Sequence, residues 1–134
     1  MQITMNTLSY KTEYVDLEQG DGLGKYLAFY FFVDGNKIES SEYNPANCFD
    51  ILDERASNNQ IMVLTHCACG VWECSSLVAR VKYLPNDIVE WTVDELRYPN
   101  NPQKYFFTKN DYESVIEEVR KIALRETAEN DTFD

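Results

Sequence analysis

The sequence predicts an α+β domain, an antiparallel sheet of about five to seven strands covered on one face by two helices. Residues 26–33 form an uncharged, aromatic run that ends at the turn-forming pair Asp34-Gly35. Apolar residues from Tyr112 to Ala123 repeat at the spacing of an amphipathic helix. Because the intervening strands are joined by short turns, the sheet should be antiparallel.

Length and charge set the broad class of the protein. A chain of 134 residues is long enough for one core, so residues 1–134 are expected to form a single domain. The 23 acidic residues outnumber the 12 basic ones, giving a net charge of -11. This charge disfavours nucleic acid and anionic membrane surfaces as partners and favours a basic protein. The N-terminal residues lack the pattern of a signal peptide, which indicates a cytoplasmic protein with reduced cysteines.

The first quarter of the chain predicts a strand, a loop and a hairpin. Apolar and polar residues alternate over residues 2–9, as in a half-buried strand. Residues 12–22 are acidic and are expected to form a solvated edge or loop. Residues 26–33 should be a central strand, because both of its faces are apolar, and Asp34-Gly35 should turn it into a strand at residues 37–40.

The stretch from Asn44 to Ala56 predicts the first helix. Asn44 is a suitable N-cap, and Pro45 suits the first helical position. The apolar residues that follow at helical spacing are Cys48, Phe49, Ile51 and Leu52. The same spacing places Asp50, Asp53 and Glu54 on the outer side of the helix.

The second half of the chain predicts further strands and the long helix. Residues 61–65 and 77–83 should pair, and a turn at residues 84–87 should lead to a strand over residues 88–93. A short strand at residues 105–107 precedes the helix. Thr108 and Asp111 resemble a capping box, Glu117 and Lys121 form a suitable ion pair, and residues 129–134 are expected to be a frayed acidic tail.

Unusual chemistry is concentrated between His66 and Cys74, a stretch that holds three of the four cysteines and the only histidine. Cys67, Cys69 and Cys74 could bind zinc, which prefers four tetrahedral ligands. Cys48 or His66 could supply the fourth ligand. His66 and Cys67 are neighbours that would point to opposite faces of a strand, which favours Cys48.

Three other interpretations of the same stretch stay open. His66 could activate a cysteine nucleophile, although Glu73 beside Cys74 would raise the pKa of that thiol. Cys74 could form a disulfide with Cys67 or Cys69. The thiols could also pack with Trp72 as compact hydrophobic groups.

Several of these residues resemble a group of small bacterial proteins. The shared features are Cys67-Ala68-Cys69-Gly70 followed by Cys74, the strand residues Val89-Glu90-Trp91, and Phe107 with Tyr112 at the start of a terminal helix. The resemblance spans roughly residues 48–119. It implies a bacterial cytoplasmic protein, of a kind that can accompany a toxin as its immunity protein, and it carries over no catalytic residue.

The sequence therefore favours a non-enzymatic binding protein that neutralises a basic protein partner, such as a nuclease toxin. The alternative is a small zinc- or thiol-dependent protein that uses the loop from Cys67 to Cys74. The candidate partner-binding residues are Asp50, Asp53, Glu54, Asp87, Glu90, Asp94 and Glu95.

Overall fold

A computed structural model describes residues 4–17, 24–40, 42–67, 72–73 and 75–131. The predicted α+β class is confirmed, but the strands within these ranges form three antiparallel sheets instead of one. The strands are β1 (Leu8–Leu17), β2 (Gly24–Val33), β3 (Asn36–Ile38), β4 (Asn44–Pro45), β5 (Ile61–Val63), β6 (Thr65–His66), β7 (Leu77–Leu84), β8 (Ile88–Glu95) and β9 (Gln103–Thr108). The helices are α1 (Cys48–Ile51), α2 (Glu54–Asn58) and α3 (Lys109–Asp131).

The first sheet has the order β1-β2-β3. β1 pairs with β2 along its whole length, from Leu8 opposite Val33 to Leu17 opposite Gly24. Of the two alternatives expected for residues 12–22, a solvated edge or a loop, residues 12–17 adopt the first, because β1 is an edge strand of this sheet and its charged side chains are exposed. Within the strand predicted at residues 2–9, residues 4–7 are not part of a strand and β1 begins at Leu8, while residues 2–3 and 18–23 lie outside the described ranges.

The predicted hairpin between β2 and β3 is confirmed. Asp34 and Gly35 both have positive φ angles, 53° and 81°. Two such residues form the type I′ turn, whose twist matches that of the paired strands. The turn brings Asn36 opposite Val33 and leaves β3 at the edge of the sheet.

The single helix predicted after Asn44 is wrong, because two short helices replace it. Asn44 and Pro45 form β4, which pairs with β6. Asn47 is the N-cap of α1, and Asp53 starts α2 by accepting hydrogen bonds from the backbone N–H groups of Arg55 and Ala56. Asp53 therefore caps a second, separate helix only a few residues after Asn47 caps the first.

The third sheet has the order β5-β7-β8-β9 and confirms the strands predicted in the second half. Asn86 and Asp87, both with positive φ, form the turn between β7 and β8. The small sheet of β4 and β6 joins the two larger sheets. Phe29 in β2 donates its backbone N–H to the carbonyl of Ala46, and Leu64 beside β6 donates to the carbonyl of Leu77.

The main core lies where the first sheet, the third sheet and α3 meet. Phe31 of β2 is edge-on to Trp91 of β8, with ring centroids 6.2 Å apart. Trp91 also packs edge-on against Phe107 and Tyr112. Each of these four aromatic side chains is buried. A second cluster, on the other face of the third sheet, consists of Ala56, Val63, Trp72 and Val78.

α3 begins as the sequence predicts and ends later. The backbone N–H of Asp111 donates to the hydroxyl of Thr108, and Lys121 lies 3.1 Å from Glu117. The helix continues to Asp131, so the expected tail does not begin at residue 129, and residues 132–134 lie outside the described ranges. No helix within the described ranges is long and apolar enough to cross a membrane.

Truncating a core aromatic residue should destabilise the protein, whereas truncating an exposed one should not. Phe31 is 1% exposed and Phe49 is 70% exposed. We expect Phe31→Ala to lower the free energy of unfolding by about 3–5 kcal/mol, because it leaves a cavity beside Trp91. Phe49→Ala should change it by less than about 0.5 kcal/mol. Urea unfolding of both variants measures this difference. Equal decreases in the free energy of unfolding would contradict the burial of Phe31.

Candidate functional site

A groove of about 610 Å³ lies between the edge strand β3 and the ends of β8 and β9. Its apolar side chains belong to the margin of the main core, where Val33 and Val93 are buried and Ile38, Leu77 and Tyr105 are partly buried. Binding sites for other molecules are commonly concave and combine an apolar surface with a few polar groups. The groove has this composition.

Four acidic residues line this groove. Asp34 and Glu39 flank β3, and Asp94 and Glu95 lie at the end of β8. Lys37 is the one basic residue among the lining residues described, and its ammonium lies 3.4 Å from Glu39. The groove therefore has an excess of negative charge.

Hydrogen bonds hold three of these four carboxylates in place. Asp34 accepts hydrogen bonds from the Asn6 side chain (2.7 Å) and the Thr7 backbone N–H (2.8 Å), and these bonds keep its pKa below the ordinary value. Glu95 accepts one from the Tyr43 hydroxyl at 2.8 Å. Asp94 accepts backbone N–H bonds from Glu95, Asn100 and Asn101. These three carboxylates thus need little ordering when a partner binds, whereas the Glu39 side chain is exposed and contacts Lys37.

The groove contains only two of the seven acids proposed from the sequence, Asp94 and Glu95. The other five lie outside it, and Asp87 lies in the turn at the far end of β8. Glu90 is buried and lies 2.8 Å from Lys104. Asp53 and Glu54 lie beside Arg55, whose guanidinium contacts Asp53 and Glu73. Of the seven acids, five therefore lie outside the lining of this groove.

Asp50 belongs to a buried polar network, so the expectation that it lies on the outer side of a helix is wrong. Its backbone N–H donates to the Asn47 side chain (2.9 Å), and its carboxylate accepts from the Asn47 backbone N–H (3.0 Å). The same carboxylate lies 2.8 Å from Nδ1 of His66, which is fully buried. The network joins α1 to β6 and holds His66 away from solvent.

The proposed zinc ligands are only partly described. Cys69 and Cys74 lie outside the described ranges, so the zinc hypothesis remains a prediction. Cys48 is buried at the start of α1, and Cys67 is partly buried directly after β6. Within the described ranges, no group of three His, Cys, Asp or Glu side chains is arranged to hold a metal ion. Trp72 is buried in the second cluster and donates to Asp53, whereas the expected packing of the Cys69 and Cys74 thiols beside it lies outside the described ranges.

Cys48 lines a second, smaller cavity of about 330 Å³. Tyr14, Phe49 and Glu126 also line this cavity. Burial raises the pKa of the Cys48 thiol to about 11, with a further contribution from the negative charge of Glu126. The thiol is therefore protonated at neutral pH, which disfavours Cys48 as a nucleophile.

Comparison of the chain with protein-family models, with curated proteins and with solved structures finds no match.

Removing the Asp50 carboxylate should destabilise the protein, because this group contacts both the Asn47 backbone and His66. We expect Asp50→Ala to lower the free energy of unfolding by about 2–4 kcal/mol, because it removes a helix cap and leaves His66 without its carboxylate. Asp16→Ala, at an exposed position of β1, is the matched control and should change it by less than about 0.5 kcal/mol. Thermal and urea unfolding test this, and a stable Asp50→Ala protein would contradict it.

Cys48 should react slowly with alkylating agents while the protein is folded. Raising the thiol pKa from 9.0 to about 11 lowers the thiolate fraction at pH 8 by about a hundredfold. Timed iodoacetamide labelling followed by peptide mapping measures the rate at this residue. The same protein in concentrated urea is the control, and equal rates in both samples would contradict the burial of Cys48.

Proposed function

We propose that this protein is a non-enzymatic binding protein that neutralises a basic protein partner, and that the groove beside β3 is its contact surface. The observation that carries the proposal is the convergence of Asp34, Glu39, Asp94 and Glu95 around one groove. A cationic segment of a partner would restore the charge balance there. The apolar side chains of the same partner segment would cover Val93 and Leu77 of the groove.

The charge of the whole chain supports the same partner class. A net charge of -11 attracts a basic protein from a distance and raises the association rate. Affinity requires buried contacts in addition, and aromatic residues most often supply them. Tyr98 is 73% exposed in the loop that also holds Asn100 and Asn101 of the groove, so it is a suitable anchor.

The sharpest form of the proposal is an immunity protein that inhibits a basic toxin such as a nuclease. It rests on the resemblance of the stretch from Cys67 to Cys74 to a group of small bacterial proteins, and on the acidic groove beside β3. An inhibitor of this kind needs no catalytic residue, because covering the toxin's cationic active-site cleft is sufficient to block it. The partner is expected to be encoded next to this protein.

The direct test is to mix the purified protein with the product of the adjacent gene. We expect a stable complex by size-exclusion chromatography, loss of the partner's toxic activity, and an association rate that falls as salt is added. Absence of a complex at low ionic strength would contradict the proposal.

Neutralising the groove should slow association more than neutralising acids elsewhere. We expect the double variant Glu39→Gln with Glu95→Gln to lower the association rate about tenfold at low salt. Glutamine at position 95 still accepts the Tyr43 hydrogen bond, so the fold should be retained. The control, Glu113→Gln with Glu117→Gln, makes the same change in net charge on exposed positions of α3. Stopped-flow binding compares them, and equal rates would show that partner contact lies outside the groove.

A further inference from the structure

We infer that the partner's basic segment binds in extended form, as an added strand along the free edge of β3. The inference rests on the proposed function and specifies its binding mode. β3 has β2 on one side and the acidic groove on the other. All residues from Asn36 to Ser40 line that groove.

The geometry of the hairpin decides where the backbone groups of β3 point. In a two-residue hairpin the residues next to the turn, Val33 and Asn36, exchange hydrogen bonds, and the next pair, Phe32 and Lys37, does not. The N–H and C=O of Lys37 therefore point away from β2 and into the groove. No hydrogen bond to either group from the described residues is found.

An exposed strand edge of this kind pairs readily with another extended chain. The edge strand β1 carries exposed charged residues on both faces, Lys11 and Glu13 on one and Asp16 on the other. In contrast, the edge of β3 borders apolar side chains at the margin of the core. The Lys37 ammonium lies 4.1 Å from the centre of the Tyr30 ring and close to Glu39, so its charge is held against the protein.

These features define the occupant. It is an extended segment in which basic and apolar residues alternate, because alternate side chains of a strand point to opposite faces. The apolar side chains of the segment cover Leu77, Val93 and Tyr105, and its basic side chains approach the four acidic residues of the groove. The backbone pairing provides affinity, and the charges provide selection.

Lys37→Pro tests this inference directly. Proline removes the outward N–H that an added strand requires, and this residue donates nothing to β2, so an edge position of this kind tolerates it. Lys37→Gln is the matched control, because it removes the same ammonium and keeps the N–H. The probe is a blocked eight-residue peptide that alternates lysine and valine, and binding is measured by calorimetry at low salt.

We expect Lys37→Pro to weaken binding of the peptide about tenfold and Lys37→Gln to leave it unchanged or stronger. Binding of the peptide to Lys37→Pro with wild-type affinity would overturn strand addition. If Glu39→Gln with Glu95→Gln still weakened binding in that case, the proposed function would survive without this binding mode. If neither variant had an effect, both proposals would fail.

A measurement on the wild-type protein covers the possibility that Lys37→Pro does not fold. The same peptide methylated on alternate backbone nitrogens keeps its charge and side chains but cannot pair along one edge. We expect peptides methylated on the two alternate sets of nitrogens to differ about tenfold in affinity, since only one set faces β3. Equal affinities would overturn the inference.

Discussion

The pairing of β2 determines the rest of the structure. Its side chains are apolar on both faces, so it is stable only as an inner strand with neighbours on both edges. β1 supplies one neighbour over ten residues, and β3 and Ala46 supply the other. Phe31 then contacts Trp91 and brings the third sheet against the first. The position of β3, and with it the groove, follows from this single strand.

Much of this arrangement could be predicted from the sequence, because it depends on local patterns. The hairpin after β2 follows from Asp34-Gly35, and α3 follows from its apolar repeat and its cap at Thr108. The division of the strands among three sheets could not be predicted. It depends on contacts between distant residues, such as that between Phe29 and Ala46, which leave no local signal.

The errors at α1 and Asp50 have physical causes of the same kind. Asn44 and Asn47 are both good capping residues, and only the pairing of β4 with β6 selects Asn47. Burial of Asp50 depends on His66, which lies 16 residues away, and a helical repeat of apolar residues cannot indicate such a partner.

The sequence analysis proposed two of the four acids of the groove. Asp94 and Glu95 belong to the acidic run that begins at Asp87, whereas Asp34 and Glu39 were not among the candidates. Asp34 lies in the predicted turn before β3 and Glu39 directly follows β3, so acids at the two ends of a short edge strand are the signal that would have identified them. Their approach to β8 depends on the tertiary fold, which no spacing within the sequence encodes.

Contacts between the first and last quarters of the chain have a consequence for how the protein is made. Asn6 pairs with Phe106, and the hydroxyl of Tyr14 bonds to the carboxylate of Glu126, 112 residues later. During synthesis, β1 therefore leaves the ribosome well before α3, the helix that packs against it. The contacts between β1 and α3 close a long stretch of chain, whereas the hairpins pair residues that are neighbours in the sequence. Docking of α3 on β1 is therefore expected to be a late and slow step of folding.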